Sequence, residues 1–240
     1  MQIQLSFYDL NVEPYEKTFD NVIKFPAKKY AKMSEIKKLE KTKPTPADSV
    51  KTLEEIEKIK KYFLDRREYR NHCLFIIGIT TGYRISDLLS LKFSNFFEDY
   101  ETWKRDIDIV EQKTKKRRTI PISDGIKVAI NLYTKNRGSF LLHEYLFQSR
   151  KGQNSPIDKS SARKIFDNMA TDLNLPYHCS THFLRKTFAY WFLQIHKNDM
   201  SALATLQDIL NHSSEKTTLK YCGIEKERKE AMLKSVSELW

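Results

Sequence analysis

His212 and Tyr221 flank the short run Ser213 to Lys220, so two short elements can bring a phenol close to an imidazole. A phenolic oxygen can attack phosphorus once hydrogen-bond donors neutralise the phosphate. Taken alone, the same window also reads as a Ser-capped helix, with Ser213 or Ser214 as the cap and Tyr221 as ordinary packing. A second window, Ser180 to Trp191, sets His182 and Arg185 three residues apart on one helix face, among Phe183, Leu184, Phe188 and Trp191. A third places Arg84 just after Gly82, with Asp87 three residues further on. Phosphodiester chemistry without a metal needs fixed cations and donors that bind the charge of the transition state. Guanidinium groups stay ionised and grip oxygens in pairs, so Arg84 and Arg185 suit a clamp, and His212 can add a hydrogen bond to the same oxygens. A phenol, with a pKa near about 10, must lose its proton as it attacks, and the leaving oxygen must gain one.

These residues need elements to hold them. Thr52 followed by Glu55 is a capping box that opens a helix with apolar positions Leu53, Ile56, Ile59 and Phe63. The run Cys73 to Ile79 predicts a buried helix ending at Gly82, which leaves Arg84 at the edge of the core. Ser86 can cap the next short helix through Leu91, with Asp87 in its first turn. Asp106 to Val110 and Arg118 to Ile122 alternate as a hairpin whose tip, Lys113 to Arg117, is densely basic. Such a tip also reads as a solvated charged turn. Helices are predicted over 123–136, 158–173, 181–196 and 203–211, and Phe147 to Ser149 forms a candidate short strand. The fold class expected is mainly α with a small antiparallel β-sheet.

Upstream, Gln2 to Phe7 alternates, and the period is then lost through Pro14 and Pro26. Ala27 to Lys43 carries seven lysines, including Lys28, Lys29 and Lys32, interleaved with Met33, Ile36 and Leu39 at helical spacing. This basic amphipathic helix suits a DNA-contacting arm or a solvated surface equally. Pro44 and Pro46 break it, and residues 42–51 read as a linker. The domains expected are thus a basic arm and linker over 1–50, a catalytic domain over 51–224, and a final helix over 225–240. In that helix Met232, Leu233, Val236, Leu239 and Trp240 share one face.

A chain of 240 residues holds one ordinary domain and an appendage. The net charge of +11 on a normally apolar composition describes a folded basic protein with a polyanionic partner. No stretch reaches the roughly 20 apolar residues of a spanning helix, and the N-terminus resembles no signal peptide, so a cytoplasmic protein is expected. Cys73, Cys179 and Cys222 are too scattered for a disulfide framework or a metal site and read as reduced thiols. There is no P-loop pattern and no cluster suited to a metal, so no cofactor is expected.

Together, Thr81-Gly82-Tyr83-Arg84, His182-x-x-Arg185, His212 and Tyr221 nine residues later resemble the motifs of the tyrosine recombinases, or phage integrase family. Asn211 departs from the family's usual glycine before the histidine. The hairpin segment from Lys113 to Pro121 resembles the family's β-hairpin, whose first lysine reaches the active site; Lys115 and Lys116 lie close enough to leave the register open. The resemblance covers roughly residues 50–225 and implies the family's catalytic-domain fold.

It further implies that Tyr221 attacks DNA to leave a 3′-phosphotyrosyl link, that His182 acts on the base side, that Lys113 is the general acid, and that Asp87 orients Arg84 or a neighbouring histidine. Lys115, Lys116, Arg117, Lys28, Lys29 and Lys32 are expected to contact double-stranded DNA, on which the protein would assemble as a dimer to tetramer. The final helix would then be donated to a neighbouring subunit. Only some fifty residues precede the domain, where the family usually has a core-binding domain of around a hundred. In size the chain resembles the short bacterial recombinases that invert a promoter segment controlling fimbriae, a compact integrase of a mobile element, or a fragment; the start at Met1 favours an intact gene product. A DNA-binding regulator with this fold and a nicking-closing enzyme are the competing functions.

Overall fold

The computed structural model describes residues 48–222 and 233–238. In chain order come helices α1 (Leu53–Asp65), α2 (Tyr69–Thr81) and α3 (Ile85–Leu89), strands β1 (Asp106–Val110) and β2 (Arg117–Pro121), and helices α4 (Asp124–Arg137), α5 (Lys159–Asp172), α6 (Phe183–Ile195), α7 (Ala202–Leu210) and α8 (Glu215–Cys222). Among the described residues the architecture is mainly α with one two-stranded antiparallel sheet, as the sequence pattern requires. Helix starts follow from side chains that satisfy otherwise unpaired amides. The Glu55 amide donates to Thr52 Oγ1 at 3.1 Å, the Ser161 amide to Asp158 Oδ1 at 2.8 Å, and the Thr217 amide to Ser214 Oγ at 3.2 Å. Helix α2 stops at Gly82, which adopts the left-handed conformation at φ +59°.

The apolar run of α2 lies at the centre because it packs on both α4 and α6. Phe75 stacks on Phe183 of α6, and Phe183 meets Phe166 of α5 edge to face with centroids 4.9 Å apart. Gly78 lets the backbone of α2 approach α6, where an added Cβ would stand 2.7 Å from Leu184 Cδ1. A smaller cluster joins α6, α7 and α8 through Ala189, Leu206, Leu210 and Cys222, with Phe188, Phe192 and Tyr221 against it. Val110 pairs with Arg117 and Ile109 with Arg118, so the two strands present the loop 111–116 at the end of the sheet.

Three expectations are corrected. Ser49 and Val50 are buried rather than part of a linker: the Val50 amide donates to Thr187 Oγ1 and its carbonyl accepts from Trp191 Nε1. A single valine among polar residues carries no periodic signal. Ser86 does not cap α3, because the chain turns into the helix two residues sooner, with Arg84 extended at ψ 148° as its N-cap. Phe147 to Ser149 is no strand but contributes one isolated bridge, Gln148 to Pro156. The arm, with its Gln2 to Phe7 alternation and its lysine-rich helix, lies outside the described residues. The three thiols are free and buried, and no helix among the described residues is long and apolar enough to cross a membrane.

Candidate active site

Arg185, in the first turn of α6 and only 4% exposed, donates from Nη1 to the Gly82 carbonyl at 2.6 Å and from Nη2 to the Leu210 carbonyl at 2.7 Å. One guanidinium thus ties the end of α2 to the end of α7. Burial lowers its pKa to about 10, which leaves it charged at neutral pH. Two residues beyond Gly82, Arg84 leaves the core at the cap of α3 and donates from Nη1 to Glu111 Oε2 at 2.6 Å.

The carboxylate that holds Arg84 was not singled out by sequence reading, although a signal exists. Period two along β1 puts Glu111 on the same face as Ile107 and Ile109, and an acidic residue on an apolar face must find partners. Arg118, opposite Ile109 in the sheet, is likewise turned inward. It donates from Nη2 to the Thr81 carbonyl at 2.6 Å, lies 4.8 Å from the Tyr83 ring centroid, and approaches Glu111 Oε1 at 3.6 Å. Asp87 does not hold Arg84. It is buried, and its Oδ1 accepts the Gln112 amide at 2.9 Å, because the first turn of α3 faces the hairpin loop. Burial raises the Asp87 pKa.

Tyr221 lies on α8, with its ring centroid 5.0 Å from that of His212 at 72° between planes. Its hydroxyl is buried and hydrogen-bonds to no described residue. Burial pushes its pKa up to about 12, against the opposing charges of Arg185 and Arg84, so the phenol is neutral at pH 7. His212 Nδ1 lies 3.1 Å from Thr218 Oγ1, a contact across the turn that Ser214 closes. Burial and then the charges of Arg185 and Arg84 hold the His212 pKa below the ordinary imidazole value. His182, at the cap of α6, is shifted in the same direction by desolvation and then by Arg185, Lys186, Arg84 and Lys113. Both rings are therefore neutral at pH 7 and able to accept a proton.

Asn211, the departure from the motif, adopts φ +49° and still supplies the tight turn before His212, as asparagine can. Its Nδ2 reaches Glu111 Oε2 at 3.2 Å. Lys113, exposed in the loop 111–116, has no hydrogen-bond or ion-pair partner among the described residues, yet its charge is felt at His182. Lys115 is exposed at the tip, and Lys116 shares a shallow groove with Gln207, Asp208, Asn211 and His212. Arg117 is paired with Asp108 across the sheet, its Nε 2.9 Å from both carboxylate oxygens. Lys28, Lys29 and Lys32 lie outside the described residues. Arg84, Lys113, His182, Arg185, His212 and Tyr221 are thereby gathered around one cationic centre, from elements up to 137 positions apart (221 − 84). Such a centre can bind a phosphate and bring a phenol to it.

The profile of the Phage integrase family matches residues 49–228, three quarters of the chain. The chain belongs to the phage integrase family. Within this family it is 37% identical over 185 residues to the "Probable integrase/recombinase YoeC" of Bacillus subtilis, a match that covers 77% of this chain and 94% of that protein. It is 29% identical over 164 residues to the "Tyrosine recombinase XerC" of Bacillus licheniformis, and there it spans only half of the relative's length. As a family member the chain is a tyrosine-type site-specific recombinase, an enzyme of DNA strand transfer. Among solved structures, XerA recombinase shares its fold at a TM-score of 0.59 and 19% identity, over 81% of this chain and 66% of XerA. XerH bound to its difH substrate does so at 0.58 and 22%, over 78% and 52%.

Proposed function

We propose that Tyr221 is the nucleophile of strand cleavage, acting on a DNA phosphodiester held by Arg84, Arg185 and His212. The observation that carries this reading is the buried Tyr221 hydroxyl, near enough to Arg185 and Arg84 for their charges to lower its pKa, on a ring 5.0 Å from that of His212. The Tyr221 Oη forms a bond to phosphorus while the bond from phosphorus to the 5′ oxygen breaks. This leaves a 3′-phosphotyrosyl link and a free 5′-hydroxyl. His182 receives the phenolic proton and Lys113 protonates the departing oxygen. Attack by a 5′-hydroxyl of a partner strand reverses the step and completes the exchange, with the bond energy retained and no metal or nucleotide required. Integration, excision and inversion all follow from this one step.

Double-stranded DNA is the partner. XerH is bound to a palindromic DNA substrate and lambda integrase is a dimer on a core site, and the +11 charge of this chain suits the same polyanion. Lys115 and Lys116 contact the backbone beside the cleaved phosphate. Arg117 adds to that surface when it releases Asp108, and the lysine-rich arm with Lys28, Lys29 and Lys32 supplies further contacts. Residues 51–224 form the catalytic unit of an assembly of two to four protomers in the cytoplasm, to which residues 225–240 lend a helix in trans. The test is Tyr221→Phe on a nicked suicide duplex. The variant is expected to bind DNA as the wild type does, since no charge is lost, and to form no covalent adduct. An adduct of undiminished yield would remove Tyr221 from the reaction.

A further inference from the structure

Three hydrogen bonds from three separate elements converge on a single oxygen of Glu111. Oε2 accepts from Arg84 Nη1 at 2.6 Å, from Thr114 Oγ1 at 2.6 Å and from Asn211 Nδ2 at 3.2 Å. The side chain is fully buried. Oε1 makes no hydrogen bond and has Arg118 Nη1 at 3.6 Å. The backbone of Glu111 closes the loop that bears Lys113, donating to the Lys116 carbonyl and accepting from the Lys115 amide, both at 2.9 Å. One carboxylate is therefore the junction of the cap of α3, the hairpin loop and the turn before His212.

We propose that Glu111 is a positioning residue for strand cleavage: it fixes the Arg84 guanidinium, and through Asn211 the His212 turn, against the loop that carries Lys113. The proposal rests on the reading of Tyr221 above. A guanidinium presents five donors in a rigid fork, and among the described residues only Nη1 is engaged, by Glu111, which leaves the other donors to meet a phosphate at a set angle. Without the carboxylate the side chain would swing, and a loss of alignment at a charged contact costs about tenfold in rate or more.

Glu111 also supplies a buried negative charge among Arg84, Arg118 and Arg185, with Asp87 nearby. Burial would raise its pKa, but hydrogen bonds from Thr114 and Arg84 and the arginine charges outweigh it, so it stays ionised. That charge offsets the charges of Arg84 and Arg185, both of which act on Tyr221, His212 and His182. Its removal leaves the field more positive, which favours the phenolate and disfavours both imidazolium ions. All three groups then titrate at lower pH.

Charge and reach are separable. Glu111→Gln keeps the shape and removes the charge; Glu111→Asp keeps the charge and withdraws the carboxylate by one methylene. Asn211→Gly removes only the amide tie, because φ +49° suits glycine. The experiment measures the rate of covalent adduct formation on a suicide duplex from pH 5.5 to 9, binding of that duplex, and the melting temperature. In the free protein, NMR follows the titration of the His212 ring. Glu111→Gln is expected to slow adduct formation about tenfold or more at pH 7, to displace the whole profile toward lower pH, and to lower the pH at which His212 titrates, with DNA binding retained. Glu111→Asp is expected to be slow with the profile in place, and Asn211→Gly to be slowed by about threefold.

Wild-type rates in Glu111→Gln, or a uniform slowing with a lower melting temperature and an unmoved profile, would reduce Glu111 to a structural residue. Should Glu111→Gln fail to fold, wild-type rates in the other two variants would have the same consequence. If Tyr221→Phe forms adduct as the wild type does, the Tyr221 reading fails alone. The His212 titration in Glu111→Gln, which needs no cleavage, then decides for or against Glu111 by moving or staying.

Discussion

Arg84 and Arg185 carry the same group but serve their neighbours differently, so replacing each by lysine gives two distinct outcomes. Arg185 spans two carbonyls, Gly82 and Leu210, inside the protein. A lysine ammonium is a point charge and cannot reach both, so one buried carbonyl loses its partner, at a cost of about 1–3 kcal/mol. Arg84 is 20% exposed and among the described residues makes one side-chain bond, to Glu111, which a lysine can also make. Arg185→Lys is therefore expected to lower the melting temperature as well as cleavage. Arg84→Lys should melt near the wild type and lose cleavage by about a hundredfold. Melting curves and adduct rates check both, and equal stability of the two variants would contradict the carbonyl bridge. The candidate reacting groups could be singled out in the sequence because phenol, imidazole and guanidinium at fixed spacings carry their chemistry in their types. Glu111 and Arg118 were not, since their roles arise only when the chain returns: Glu111 meets Arg84 across 27 positions and Asn211 across 100.

At the level of elements, the junction of α2 with α6 sets where both arginines stand. Gly82 ends α2 at φ +59°, and its carbonyl accepts from Arg185 at 2.6 Å and from Arg118 at 3.5 Å. A Cβ there would lie 2.3 Å from Phe188 Cδ1. Gly82→Ala thus combines left-handed backbone strain of about 1–2 kcal/mol with a displaced aromatic ring, and shifts the carbonyl that both guanidiniums grip. A stability loss of about 2 kcal/mol or more and a proportionally larger loss of cleavage are expected in denaturant titration and adduct assays. A variant with wild-type stability would mean that Phe188 yields freely. Apart from the start of α2, which lies four residues before its apolar run, the helices were readable to within about two residues, since their caps and apolar periods are local. What resisted reading were features fixed by tertiary contact. Val50 is buried by Thr187 and Trp191, and α3 starts at Ile85 because the chain emerges from Gly82 already extended.

At the scale of the molecule, the assembly proposed for this chain would benefit from a cleavage centre that stays inactive until partners arrive, and the helical segment over 233–237 is suited to that role. Leu233 and Val236, one helical turn apart, are 71% and 57% exposed on a helical segment over 233–237. Two apolar side chains so placed gain nothing in water and about 1.5–3 kcal/mol each when fully covered. Met232, Leu239 and Trp240 share their face by sequence period. Docking on a neighbouring protomer would bury this face and, because α8 and Tyr221 precede it by about ten residues, would link nucleophile placement to assembly. Deleting residues 228–240 is accordingly expected to leave a folded monomer that binds a single half-site with unchanged affinity, while cooperative occupancy of paired half-sites is lost. Sedimentation and band-shift titrations on one and two half-sites measure both quantities. A truncated protein that assembles like the intact one, or that unfolds, would assign this helix to its own domain and place control of Tyr221 elsewhere.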